Sequence, residues 1–328
     1  MGAPCSLRCR EWRFDFVSVR MSTAAEIASR GGAVDLRGGT IPFFEPQVGP
    51  SRECQFSVPT FYINRDCDED RRAAIELELR TAGIAAERIR AVEGLAVPED
   101  LRAYFFDAER LSSALKPGEV GCYASHLKAL KTMIERGLEY ALILEDDAVL
   151  PRDLRRVIDD VLACLPHSWD LVHLCGDPRR AVKPVRRLKH RGTLVRYSRV
   201  PSGTVGYLIS RGGARKFLAP IKRSWPVDTD FRRPWLFGLE TYGVAPKIID
   251  HSDSLPSPIQ SMGGRARARR GLPRPSFHSW TGNPLHCPEG VYYNFRALGP
   301  LSWARCSLEN AYARAAGMLG LKRLVGQP

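Results

Sequence analysis

The chain has 328 residues, with 49 Lys and Arg against 36 Asp and Glu, a formal net charge of +13 and 44% hydrophobic residues. That composition supports one or two buried cores and excludes a wholly disordered, collagenous or coiled-coil chain. No apolar run approaches the roughly 18 residues of a membrane-spanning helix, and charges interrupt the first twenty positions, so a soluble cytoplasmic protein is expected.

The positive charge is uneven. Residues 1–50 carry 6 basic and 5 acidic side chains, whereas 255–328 carry 10 and 2. Residues 1–57, with Gly31-Gly32 and Gly38-Gly39 and little periodicity, read as a poorly ordered extension. From there the pattern becomes regular. Thr60 to Asn64 predicts a strand, and Asp68 to Ala82 a helix that begins acidic and stops at Gly83. Arg88 to Val92 is a second strand, and Gly118 to Arg136 a helix stopped by Gly137. Tyr140 to Leu144 is a continuous apolar run, suited to a strand buried on both faces. A helix over Pro151 to Leu165 and a strand over Asp170 to Leu174 follow. Residues 179–199 hold nine Lys or Arg and no acid, too charged for core. Val205 to Ile209 returns to strand character, Ser210 caps a helix over Gly212 to Leu218, and Tyr242 to Ile249 supplies a last strand. Apolar runs alternating with helical segments predict an α/β fold with a mostly parallel central sheet over residues 58–254. Residues 255–328 form a separate basic, Pro- and Arg-rich segment. The nine cysteines are scattered without a C-x-x-C pair, which predicts reduced thiols in place of disulfides or a zinc site.

Three carboxylates, Glu145, Asp146 and Asp147, follow directly on the apolar run from Ala141. Ligands in open α/β sheets gather at the carboxyl ends of strands. Side chains alternate along an extended chain, so Glu145 and Asp147 are expected on one side and Asp146 on the other. Two carboxylates facing one way make half a site for Mg²⁺ or Mn²⁺, which complete their shells with water and substrate phosphates. The alternative is an acidic turn capping the helix near Pro151.

Four blocks carry a resemblance: Phe61-Tyr-Ile-Asn-Arg-Asp with Arg71-Arg72; Lys116-Pro-Gly-Glu-Val-Gly-Cys-Tyr-Ala-Ser-His126; Ala141 to Asp147; and Gly206 to Phe217 with Pro226-Val-Asp228. In this order and spacing the sequence resembles glycosyltransferase family 25, the group containing bacterial lipooligosaccharide β-galactosyltransferases and collagen galactosyltransferases. The resemblance covers roughly residues 58–250.

The resemblance implies a GT-A-like fold and an inverting transfer from a UDP-sugar, UDP-galactose first among donors, to a saccharide hydroxyl of a lipooligosaccharide or related glycan. A collagen-like hydroxylysine acceptor is the alternative. It implies Asp147, with Glu145 or Asp146, as ligands of the divalent metal that offsets the charge of the departing UDP. Asp228 is the family-matched general base, with Asp230 its rival and a helix cap its bland reading. Asn64 and Arg65 resemble nucleotide-contacting positions, and Arg71 is either a phosphate ligand or part of a solvated helix face. If Gly121 lets a helix start close to the nucleotide, Ser125 and His126 reach the sugar or diphosphate; otherwise they pack the loop.

The tail contains Arg265-Ala-Arg-Ala-Arg-Arg270 and a predicted amphipathic helix over Ser307 to Val325, with Leu308, Ala311, Tyr312, Ala315 and Leu319 on one side and Lys322 and Arg323 at its end. Such a segment either contacts the inner face of an anionic membrane, where a lipid-linked acceptor would lie, or is a solvated tail. Two rival functions are a basic nucleic-acid-binding protein and an inactive glycosyltransferase-like binding protein. Nucleic acid is not expected as a partner, because no reading module accompanies the basic runs and the acidic strand end repels a polyanion.

Overall fold

The structure is a computed structural model and describes residues 58–252 and 287–318. The expected extension 1–57, the Arg265 to Arg270 cluster and Lys322 with Arg323 lie outside the described residues.

Strands in chain order are β1 Thr60–Asn64, β2 Glu87–Arg90, β3 Phe106–Asp107, β4 Arg110–Leu111, β5 Tyr140–Glu145, β6 Ala148–Val149, β7 Leu171–His173, β8 Val182–Arg187, β9 Thr193–Tyr197, β10 Gly206–Ser210, β11 Thr241–Ala245 and β12 Asp250–His251. Helices are α1 Glu69–Thr81, α2 Glu99–Arg102, α3 Pro117–Glu135, α4 Leu154–Cys164, α5 Arg211–Phe217, α6 Val227–Phe231, α7 Pro288–Leu298 and α8 Pro300–Met318. Eight strands form one sheet in the order β2-β1-β5-β10-β7-β11-β9-β8.

Strand alternation assigns the core to both faces of this sheet. Phe61, Ile63, Ile143, Tyr207 and Ile209 pack against Tyr123, Leu127 and Leu130 of α3. Their neighbours Tyr62, Leu142, Leu144 and Leu208 pack on the other face against Ile75 and Leu79 of α1 and Val157 and Val161 of α4. Two covered faces explain why β5 reads as an uninterrupted apolar run.

The sheet is mixed, which corrects the expectation of a mostly parallel one. β1 is parallel to β2 and β5, and β7 is parallel to β11. β10, however, inserts antiparallel between β5 and β7, and β9 is antiparallel to both β11 and β8. Since β5 and β7 both oppose β10, the carboxyl ends of β1, β5, β7 and β11 share one side. Gly206 pairs with Leu144 there, so β10 begins beside the acidic strand end.

The basic run 179–199 is a hairpin at the sheet edge. β8 leaves Pro184 to Arg187 exposed while β9 buries Leu194, Val195 and Tyr197. Charged side chains on an outermost strand discourage pairing with another chain, and one buried neighbour strand suffices to hold it. The predicted last strand stops at Ala245 instead of Ile249, where the peptide to Pro246 is cis and proline offers no ladder N–H.

The chain end folds back on this hairpin. Lys183 Nζ donates to the Leu298 carbonyl and Arg305 to the Val182 carbonyl, each at 2.8 Å. α8 begins seven residues before the expected Ser307. Along it Leu301, Leu308 and Tyr312 are 87%, 73% and 64% exposed, so the predicted apolar stripe faces outward where it is described. No described helix is long and apolar enough to cross a membrane.

Candidate active site

At the end of β5 the three acids meet very different partners. Asp146 is buried and held on both oxygens: Asn64 Nδ2 donates to Oδ2 at 2.8 Å and Arg71 Nε to Oδ1 at 2.8 Å. The Arg71 guanidinium also reaches Asp147 Oδ2 at 3.1 Å. Arg71 is itself buried, which removes it from the solvated face that the Glu- and Arg-rich sequence of α1 suggested. Its charge is spent on two carboxylates, so it is a counter-ion within the site.

Asp147 keeps one oxygen free. Its Oδ1 is buried without a hydrogen-bond partner among the described residues. Burial, reinforced by the Glu145 charge and opposed by Arg71, pushes the Asp147 carboxyl up to about 6. Glu145 goes the other way: burial works to raise it, but the adjacent His126 ring, the Thr204 hydroxyl and the Arg71 charge bring it below the ordinary carboxylate value. Thr204 Oγ1 donates directly to Glu145 Oε1. His126 Nε2 stands 3.4 Å from the same oxygen, too poorly aligned for a hydrogen bond, while Nδ1 meets the Tyr207 hydroxyl at 2.9 Å. Asp146 is thus the most tightly held of the three acids, while the charges of both Glu145 and Asp146 act on Asp147.

Asp228 joins this group. The Cys122 thiol of α3, raised chiefly by burial, is raised further by the charges of Glu145, Asp228, Asp147 and Asp146, so Asp228 acts on the same side chain as the three β5 acids. Asp228 is half-buried and accepts from the neighbouring Thr229 hydroxyl at 3.3 Å. It does not cap α6: the N-cap is Pro226, without a side-chain bond. Asp230 is different. It is 3% exposed, accepts from the Tyr123 hydroxyl at 2.9 Å and pairs with Arg233, with burial raising its carboxyl against the Arg233 charge. That environment corrects Asp230 from rival base to buried structural acid.

Further expected site residues are engaged with protein. Ser125 is buried, donating to the Gly121 carbonyl at 2.7 Å and accepting from Val92 N at 2.8 Å, so it ties α3 to the loop after β2. A Cβ at Gly121 would lie 2.6 Å from the Val92 oxygen and 2.8 Å from Gly94 N, so the close approach this glycine permits is to protein backbone. Asn64 and Arg65 are likewise engaged with protein: Asn64 with Asp146, the Asp68 carbonyl and Arg88, and Arg65 with Asp68 through contacts of 2.6 and 2.7 Å. Sequence reasoning missed Thr204 and Tyr207, whose contacts with Glu145 and His126 arise from β10 entering beside β5.

No cluster of three or more His, Cys, Asp or Glu side chains is poised around one point as a metal cage among the described residues. A hard divalent ion does not require one, since one or two carboxylates with water and phosphate oxygens suffice. Asp147, with its orphaned buried oxygen, and the adjacent Glu145 fit that half-site.

A covered α/β sheet with acids gathered at the carboxyl end of a central strand defines the class of α/β domain that binds its ligand at strand ends. Residues 58–231 match the family model described as glycosyltransferase family 25 (LPS biosynthesis protein). The chain belongs to glycosyltransferase family 25. It is 31% identical over 185 residues to mouse inactive glycosyltransferase 25 family member 3, covering 51% of this chain and 30% of that one. It is 29% identical over 189 residues to zebrafish procollagen galactosyltransferase 1 (51% and 30%), and 30% identical over 185 residues to human procollagen galactosyltransferase 2 (51% and 29%). The match therefore spans under a third of the length of these relatives. Cys67, Cys122, Cys164, Cys175 and Cys306 are free thiols in the described residues.

Proposed function

We propose that this chain is an inverting hexosyltransferase on a GT-A-like fold, moving galactose from UDP-galactose to a saccharide hydroxyl of a lipooligosaccharide or related glycan. The observation that carries this reading is the asymmetry of the three acids: Asp146 is locked by Arg71 and Asn64, while Asp147 keeps a buried oxygen without a partner. Asp147 and Glu145 would hold Mn²⁺ or Mg²⁺, which when bound offsets the negative charge of the departing diphosphate. Arg71, in contact with both Asp146 and Asp147, would hold the Asp147 carboxylate in place.

Inversion is one displacement. The acceptor oxygen forms its bond to the anomeric carbon as the bond from that carbon to the diphosphate oxygen breaks, and the hydroxyl proton goes to a base. Asp228 suits that role because it is half-buried, where Asp230 is enclosed. His126, buried and hydrogen-bonded to Tyr207, positions Glu145.

The test incubates the full chain with a panel of UDP-sugars and Mn²⁺, with and without EDTA, and reads UDP release and product. Metal-dependent release with one hexose donor is expected. Absence of turnover with every donor, together with unchanged Mn²⁺ and UDP affinity in Asp147→Asn, would defeat the proposal and favour a binding protein without activity.

A further inference from the structure

A second charged cluster adjoins Asp228, and it is positive. Three segments meet at Ser198. Its N–H and hydroxyl both donate to the Ala181 carbonyl, at 3.3 and 2.5 Å. Asn310 of α8 accepts from Ala181 N and donates to Ser198 Oγ, both at 2.9 Å, and Asn294 of α7 donates to the Ser198 carbonyl at 2.8 Å. This hub brings Arg179 and Arg180, just before Ala181, together with Arg199, just after Ser198, and Arg314, one turn beyond Asn310.

Arg232 arrives from the other side. The ring of Phe231 packs edge-on against His173 at 6.1 Å, and the ring of Tyr197 packs edge-on against the same His173 at 6.2 Å. Phe231 precedes Arg232 and Tyr197 lies two residues before Arg199, so the shared histidine brings the two arginines near each other. Arg232 also lies one helical turn from Asp228, whose charge acts on it. Arg232 Nε is buried without a hydrogen-bond partner among the described residues. Burial, and then the charges of Arg232, Arg180, Arg179 and Arg314, bring Arg199 down to about 10. Like charges gathered in a partly dry place favour the binding of an anion.

We infer that Arg179, Arg180, Arg199, Arg232 and Arg314 form an anion subsite beside Asp228 that takes a phosphate group carried by the acceptor saccharide. The assignment to the acceptor rests on the transferase reading above, in which Asp228 meets the acceptor hydroxyl and the Asp147 side meets the donor diphosphate. Guanidinium forks match phosphate oxygens two at a time, and a dianion relieves the repulsion among several of them at once. The same field disfavours a cationic acceptor such as a hydroxylysine side chain.

Calorimetric titration of the full chain, saturated with UDP, with a hexose 6-phosphate and with the free hexose tests the subsite, and UDP is titrated separately. The sugar phosphate is expected to bind at least about tenfold tighter than the sugar, the effect of one charge-assisted contact. Arg232→Gln and the exposed Arg179→Gln should each weaken sugar phosphate about tenfold and leave UDP affinity within about twofold. Because Arg179 is at the surface, its variant keeps the test valid if Arg232→Gln fails to fold. Equal weakening of UDP and sugar phosphate would give the cluster to the donor, and equal affinity for phosphorylated and free sugar would remove the subsite. Binding to phosphatidylglycerol vesicles lost in the same variants, without sugar-phosphate binding, would assign the arginines to a membrane and overturn the inference. If no nucleotide sugar turns over but sugar phosphate binds as stated, the transferase reading fails and the subsite stands.

Discussion

Asp228 and Asp230 stand two residues apart on one short helix and share almost nothing of their surroundings. Asp230 is buried between Tyr123 and Arg233, whereas Asp228 is half-buried and in the field of Glu145 and Asp147 on Cys122. Replacing each by Asn therefore has separable effects. Asp228→Asn is expected to lower turnover of a UDP-sugar by about 10²-fold or more with an unchanged urea midpoint. Asp230→Asn leaves Arg233 without its charge partner and is expected to cost about 3 kcal/mol of stability. Steady-state rates and urea denaturation on both variants check the pair.

Asp147 makes stability fall with rising pH. Its carboxyl goes from 3.8 to about 6 on folding, so between those values the folded chain holds a proton that the unfolded chain has lost. The folded state is then penalised progressively as pH rises through about 4 to 6, by about 2–3 kcal/mol in all. In metal-free buffer Asp147→Asn should remove this part of the dependence and be the more stable protein at pH 7. Urea midpoints of both proteins at pH 4 and pH 7 check the sign. Mn²⁺ affinity should rise over the same window, because the ligand must be ionised.

Arg71 holds Asp146 and Asp147 at once. Arg71→Ala strands two buried carboxylates and is expected to cost about 3–5 kcal/mol. Combining it with Asp146→Asn should recover part of that loss, since the second change removes one stranded charge. A double-mutant cycle by urea denaturation measures the coupling; additive losses would show that the pair is not energetically linked.

Gly121→Ala is expected to destabilise by about 1–3 kcal/mol, because its methyl would lie under 3.0 Å from the backbone of Val92 and Gly94. Ser125→Ala should cost about 1–2 kcal/mol, leaving Val92 N unsatisfied, with KM for donor unchanged. Thermal denaturation and donor kinetics on the two variants check this assignment of the segment to packing.

What the sequence made legible follows physical rules that act locally. The apolar run of β5, the acidic start and glycine stop of α1 and the Ser210 cap, whose oxygen accepts from Gly213 N, all depend on neighbours within a few residues. The acidic strand end was legible for the same reason. What was hidden depends on partners far along the chain. Arg71 finds Asp146 across 75 positions and Thr204 finds Glu145 across 59, and no spacing rule announces either. Periodicity also carries no sign for strand direction, so the antiparallel entry of β10 could not be read from Val205 to Ile209. The charge of 179–199 speaks against a core but not against an edge strand, which needs only one buried row.

The insertion of β10 between β5 and β7 leaves a seam through the middle of the sheet. On one bank lie Arg71, Asn64 and the β5 acids, all from residues before 148; on the other lie Arg179, Arg199, Arg232 and α8. Thr204 and Tyr207 are the stitches, one on Glu145 and one on His126. If the proposed transferase reading holds, a lineage could rework the later bank to suit a new recipient molecule while the earlier bank goes on handling the same activated sugar, provided those two stitches stay in register.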